Sequence, residues 1–327
     1  MKALVADRFG APLEVLSVKD LPSPTVGSGQ VRIRMMLSPI NPSDLLMIQG
    51  KYGKQPPLPC IPGFEGVGKV EEGKGLFAWR VLGKRVAVLN GGSGNWAQEV
   101  TIPAIRAVPV PSDIPDEQVA SFFINPATAL AMVSRQFRIP RGAWLVQGGA
   151  STAVGLMVAR LGKKLGFQTL NLVRRKELIP ALEEAGGTKT LVTEGDWLAQ
   201  ARSILGKAGA PFGLDCIGGK LGADVLGLLG ENGRLQVYGR LSGEPIPIDP
   251  GVLLAGMKKV EGFWLSEWAN RQGKLSMLGL FREIGQNLRD GTLTTKVGAI
   301  HPLDDWRSAI QAAGESAKPG KILLKFH

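Results

Sequence analysis

Cysteine and histidine are scarce in this chain of 327 residues, with two of each. Cys60 and Cys216 cannot build a disulfide framework, and a reducing cytoplasm is the simplest home for them. Long apolar runs are missing too. Gly, Pro or charge interrupts each one well before the roughly 18 residues that a membrane span needs, so no membrane partner is expected. Met1-Lys2-Ala3-Leu4-Val5 reads directly as a strand, without the regions of a signal peptide or an Arg/Ser-rich transit peptide. The sequence shows no internal repeat, no low-complexity tract and no Lys/Arg block of five or more.

What is present is an ordinary globular composition, 44% hydrophobic and 20% charged, on a chain long enough for two cores. The net charge of +11 has three readings. It can be a solvated basic surface, a site for polyanionic small molecules or an acidic carrier, or a nucleic-acid surface, and the charge alone does not choose.

Texture divides the chain. Residues 1–115 read as short strands with Gly and Pro punctuation: Val31–Met35 alternates apolar and basic residues, Arg85–Leu89 is a second strand, and Pro56, Pro57, Pro59 and Pro62 mark an irregular segment. Residues 116–289 open with a helix over Asp116–Ala131, interrupted near Asn125-Pro126. Strands then follow at Trp144–Gln147, Thr169–Val173, Thr190–Val192, Gly213–Ile217 and Arg234–Tyr238. That spacing predicts βαβ units and a doubly wound parallel sheet. Residues 290–327 return to strand-like pieces, Thr295–Ile300 and Lys321–Lys325, around a helix over Asp304–Ala313, and are expected to rejoin the first, barrel-like domain.

The segment Gln147–Gly155 says most about function. It lies between a short buried strand and Leu156–Leu165, whose apolar residues recur at helical spacing. A small-residue turn there lets the backbone N–H groups of Gly149, Ala150, Ser151, Thr152, Ala153 and Val154 approach a pyrophosphate at the positive end of a helix. About 20 residues on, a dinucleotide site usually carries an acid for the ribose 2′-hydroxyl. Here stand Arg174, Arg175 and Lys176, with no carboxylate before Glu177. Guanidinium forks fit a 2′-phosphate, so the expected cofactor is NADPH.

Asn41-Pro42-Ser43-Asp44 and Pro62-Gly63-Phe64-Glu65-Gly66-Val67-Gly68 resemble the N-terminal signature of the medium-chain dehydrogenase/reductases, and the resemblance covers essentially the whole chain. It implies a Rossmann domain inserted in a GroES-like barrel. Zinc-dependent members place Cys and His ligands in these segments. In this chain Asn41, Phe64 and, roughly, Asn125 hold the three positions, His301 and His327 lie elsewhere, and the four-cysteine structural lobe is missing. A catalytic zinc needs three side-chain ligands, so no metal is expected.

Among zinc-free members, three features are similar to 2-enoyl thioester reductases: Gly94-Asn95-Trp96, Asn171-Leu172-Val173-Arg174 and Gly262-Phe263-Trp264-Leu265. Gly73–Arg85 departs from the family, being compact where relatives carry a Val-Thr-Gly-Leu-like stretch. The resemblance places Tyr52 at the catalytic tyrosine. A phenol suits the reaction because reducing a conjugated thioester builds negative charge on its carbonyl oxygen, which needs a donor there or a proton at the α-carbon. The plainer reading of Tyr52 is a ring packed on the prolines. By the same resemblance Asn41 positions substrate or nicotinamide, or else forms an Asx turn before Pro42. Thr128 bonds the nicotinamide carboxamide or is helix interior. Tyr238 and Gly239 lie along the phosphate–ribose path, though Tyr238 also fits as packing. Phe263, Trp264 and Leu265 lie near the nicotinamide and substrate, at a dimer edge strand near Lys259–Leu265, or both. Glu65 reads as a hydrogen-bond hub and both cysteines as passive. The implied activity is NADPH-dependent, metal-free reduction of the C2=C3 bond of 2-enoyl thioesters on coenzyme A or acyl carrier protein, by a homodimer. Reduction of quinones or small enones is the nearest alternative. A nucleic-acid-binding protein with a vestigial NADPH site is the alternative from another class.

Overall fold

The computed structural model describes residues 1–90, 94–315 and 320–327. The chain divides into two units, Met1–Ile124 with Phe281–His327, and Asn125–Leu280. The first unit begins with strands β1 (Lys2–Ala6), β2 (Leu16–Asp20), β3 (Gln30–Pro39), β4 (Glu65–Gly73), β5 (Arg85–Leu89), β6 (Glu99–Pro103) and β7 (Ala107–Pro109). The second holds β8 (Trp144–Gly148), β9 (Gln168–Val173), β10 (Lys189–Val192), β11 (Ala210–Asp215), β12 (Leu229–Val237) and β13 (Lys259–Gly262). Strands β14 (Val297–Pro302) and β15 (Lys321–Lys325) complete the first.

Alternation builds the first unit. In β3, Val31, Ile33 and Met35 are buried, while Arg32 and Arg34 face Glu72 at 3.1 Å and Glu71 at 3.8 Å. The sheet runs β14-β15-β3-β4-β5-β7, with β6 also paired to β3. Strand β15 lies antiparallel to β3, Leu323 opposite Pro39, which brings the C-terminal segment beside the N-terminal one. The segments Asp116–Ile124 and Phe281–Arg289, expected with the nucleotide part, belong to this unit instead. Their packing explains it: the helix Asp116–Ala120 contacts β3 and β4, and the Phe281 ring lies 6.4 Å from Phe122 and 5.7 Å from Phe123. The helix break also moves, from Asn125-Pro126 to Ser121–Phe123. Pro126 sits in the first turn of the helix Ile124–Leu130, where an N–H has no intrahelical acceptor to lose.

The second unit is a doubly wound parallel sheet in the order β10-β9-β8-β11-β12-β13. Strands β8 and β11 are neighbours but not consecutive, so their carboxyl ends form the topological switch point at which such sheets bind ligands. The helix Ala153–Leu165 follows β8, buries Val154, Met157, Val158 and Leu161, and ends at Gly166 with φ 86°.

Candidate active site

In the first unit the site grows from the start of the helix Pro42–Ile48. The buried Asp44 carboxylate accepts the Asn41 backbone N–H at 2.7 Å and the Phe64 N–H at 3.1 Å, tying the Pro62–Glu65 segment to the helix. The Asn41 side chain is buried between charges. Its Oδ1 accepts from Lys321 Nζ at 2.7 Å and its Nδ2 donates to Glu65 Oε1 at 3.1 Å. These partners set the amide, because an ammonium only donates and a carboxylate only accepts. The other Glu65 oxygen accepts the N–H groups of Phe123 and Ile124 at 3.0 and 2.9 Å. Glu65 is therefore the hub expected of it. Lys321 and Asp44 were not singled out from the sequence. The available signal was a lysine opening the apolar strand Lys321-Ile322-Leu323-Leu324: a cation 8% exposed requires an anionic or polar partner inside.

Burial pushes the Asp44 carboxyl up to about 7, against the Asn41 N–H, with the Glu65 charge adding to the rise and the Lys321 charge and Phe64 N–H opposing it. Burial also raises Glu65, opposed by the Ile124 N–H, the Lys321 charge, the Phe123 N–H and Asn41.

Tyr52 follows this helix. Its half-buried ring lies 5.4 Å from Phe64, and its carbonyl accepts from Gln55 Nε2 at 2.7 Å. The ring thus packs on the segment carrying Glu65. Trp96 is fully buried against Gly63, where a side chain would come within 2.4 Å of the indole. The Asn95 and Trp96 N–H groups bond the Gly63 and Pro62 carbonyls, both at 2.9 Å. The Gly-Asn-Trp motif braces the Pro62–Glu65 segment from behind.

The second unit holds the remaining candidates, with the turn after β8 at its switch point and Phe263–Leu265 after the edge strand β13. Gly149 adopts φ 67°, and a Cβ there would meet Cys216 Sγ at 2.7 Å; one at Gly155 would meet the Ala150 carbonyl oxygen at 2.3 Å. Thr152 caps the helix by accepting the Gly155 N–H at 3.1 Å. The Ala153 and Val154 N–H groups at the helix start have no intrahelical acceptor. Arg174 and Arg175 are exposed immediately after β9. Asn171 is buried and links strands, accepting from Gln147 at 2.6 Å and donating to the Lys189 carbonyl at 2.9 Å. The Tyr238 hydroxyl is buried beside the Cys216 thiol and Thr152. Burial raises it well above the usual phenol range and pushes the Cys216 thiol up to about 12, keeping both neutral. Gly239 packs against Cys216. Phe263 is buried and bonded to the Val237 carbonyl, Trp264 is exposed, and Leu265 starts a short helix. Thr128 is buried in the helix Ile124–Leu130. These residues fit a dinucleotide phosphate. The backbone turn and its capped helix are formed, glycines stand where the chain is closest-packed, and two cations stand at the end of the next strand.

Residues 27–112 match the family model described as the alcohol dehydrogenase GroES-like domain, and residues 153–280 that of the zinc-binding dehydrogenases. The human mitochondrial enoyl-[acyl-carrier-protein] reductase is 31% identical over 329 residues, covering 99% of this chain and 88% of its own. The chain belongs to the medium-chain dehydrogenase/reductases. Two solved structures resemble this dehydrogenase/reductase over its full length. A putative NADPH:quinone reductase from Bacillus thuringiensis is 29% identical with a TM-score of 0.93, covering 100% of this chain and 99% of that one. A mycobacterial protein solved in complex with NADPH is 25% identical with a TM-score of 0.89, covering 100% of both chains. The positions of the family's zinc ligands do not suit the ion here. At Asn41 the amide oxygen is held by an ammonium, and at Phe64 a phenyl ring offers no lone pair. Among the described residues no three His, Cys, Asp or Glu cluster to hold a metal, nor is any helix long and apolar enough to cross a membrane.

Proposed function

We propose that this chain uses NADPH to reduce the C2=C3 bond of 2-enoyl thioesters carried on coenzyme A or acyl carrier protein. The observation that carries this reading is the near full-length similarity to enoyl-[acyl-carrier-protein] reductases, together with the Tyr52–Phe64–Glu65 arrangement. Gly149–Val154 would receive the pyrophosphate, Arg174 and Arg175 the 2′-phosphate, Thr128 the carboxamide, and Tyr238-Gly239 the phosphate–ribose path. When bound, NADPH supplies a hydride to the β-carbon. Tyr52 would donate a hydrogen bond from its hydroxyl to the carbonyl oxygen as charge develops there, with solvent protonating the α-carbon, or would pass that proton itself and be reprotonated by solvent. Asn41, with one N–H beyond its bond to Glu65, positions substrate or nicotinamide. Phe263, Trp264 and Leu265 shape the acyl side. We place the protein as a homodimer in a reducing cytoplasm, a setting supported by two free, buried cysteines.

Quinone or small-enone reduction is the second reading, favoured by the quinone-reductase structure of TM-score 0.93. Steady-state NADPH oxidation with crotonyl-CoA against a naphthoquinone separates the two. The thioester should be preferred by at least an order of magnitude in kcat/KM, and the opposite preference would overturn the first reading.

A further inference from the structure

Within seven residues of the turn joining β4 to β5, four large apolar side chains stand in solvent: Leu76, Phe77, Trp79 and Leu82 are 77%, 62%, 63% and 50% exposed. The turn is well fixed. Ala78 and Val81 are buried beneath it, and the Val81 and Leu82 N–H groups bond the Ala78 carbonyl at 3.1 and 3.0 Å. The Gly83 N–H bonds the Val70 carbonyl on β4 at 2.9 Å. An exposed apolar cluster held outward on a rigid base marks an interaction surface.

Its charge is of one sign. No Asp or Glu occurs from Gly73 to Gln98, a stretch holding Lys74, Arg80, Lys84 and Arg85. Arg85 is spent on Asp116 and the Ile114 carbonyl. The guanidinium of Arg80 lies over both exposed rings, 5.9 Å from Phe77 and 5.6 Å from Trp79. The acids that precede the stretch, Glu71 and Glu72, face Arg34 and Arg32. Exposed Ile105 and Arg106 stand on a turn tied to the same base, through the Ala104 N–H to Gly29 and the Gly29 N–H to Lys74.

Two occupants fit this poorly. Isologous contact with a second copy would set cations against cations. Delivery of a carrier-bound substrate is remote, because Glu65 opens β4 and Gly73 closes it, some 26 Å apart at about 3.3 Å per residue. Aromatic rings and leucines ringed by cations suit a boundary that is apolar beneath an anionic layer. We infer that the Leu76–Leu82 turn anchors this protein on an anionic lipid surface. The rings and leucines enter the headgroup boundary, and Lys74, Arg80 and Lys84 meet lipid phosphates. Surface contact of this kind needs no spanning helix, and it does not depend on which substrate is reduced.

The full-length protein should float with phosphatidylcholine–phosphatidylserine vesicles and not with phosphatidylcholine alone. Raised salt should weaken binding, and the emission of Trp79 should shift to the blue. Phe77→Ser with Trp79→Ser should abolish both signals with NADPH turnover unchanged. Each cation contributes about fivefold to partitioning, so Arg80→Glu, a change of two charges, should cost at least tenfold. Absence of binding to the anionic vesicles would overturn the proposal, as would equal binding by the double variant. A fall in particle mass of the double variant without any lipid binding would assign the patch to a second copy instead.

Discussion

Asp44 keeps its proton through a pH range in which an exposed carboxyl has lost it, because burial outweighs Lys321 and the two N–H groups it accepts. Between about pH 4 and about 7 the folded chain binds this proton and the unfolded chain does not. Stability from this group is therefore complete below about pH 4 and falls as pH rises through about 7, by up to about 1.4 kcal/mol per pH unit. Urea midpoints across this range, compared with Asp44→Asn, should show the slope in the native protein and a shallower one in the variant; parallel curves would refute it. Lys321→Met should carry the loss to higher pH at the same slope, since the Lys321 charge that draws Asp44 downward is gone. Tyr52→Phe keeps the ring on Phe64 and removes only the hydroxyl. It should lower kcat at least about tenfold, within the range for acid–base groups, with little change in KM for NADPH. Unchanged turnover would remove Tyr52 from the chemistry.

A strand, a turn and a helix carry the cofactor half of the site, and this part was legible because it is local. The small residues after β8, the helical spacing of Leu156–Leu165 and the cations after β9 all lie within about thirty residues of one another. The other half was not legible. Lys321 reaches Asn41 across 280 residues of sequence, through the pairing of β15 with β3, and no local pattern encodes that contact. Strand ends depend on a nearer cause. β11 was expected over Gly213–Ile217 but stops at Asp215, whose carboxylate takes the Ile217 and Gly218 N–H groups at 3.1 and 2.8 Å and turns the chain. For the β9 end, Arg174→Ala with Arg175→Ala should raise the Kd for NADPH at least tenfold and leave that for NADH nearly unchanged. Equal weakening of both cofactors, measured by titration calorimetry, would deny these arginines the 2′-phosphate.

At the scale of the whole molecule, assembly is argued from an unfinished sheet edge. Strand β13 pairs with β12 on one side and ends the six-stranded sheet. Its free edge carries exposed Val260, continues into exposed Trp264, and is followed by the buried pair Phe263 and Trp268 with rings 6.2 Å apart. An edge with unpaired N–H and C=O groups and an apolar side chain invites another strand. A two-fold axis beside β13 would pair it with its own copy and join two six-stranded sheets. Residues near such an axis meet their own counterparts, so a charge placed there is opposed by the same charge. If the chain is the proposed homodimer, Val260→Glu should therefore halve the mass measured by light scattering at micromolar concentration, while the monomer keeps its NADPH affinity because the βα turn lies on β8, three strands away in the sheet order. A variant that stays dimeric would move the interface elsewhere. The comparison also isolates the lipid proposal: the Leu76–Leu82 turn belongs to the first unit and β13 to the second. Phe77→Ser with Trp79→Ser should leave the mass untouched.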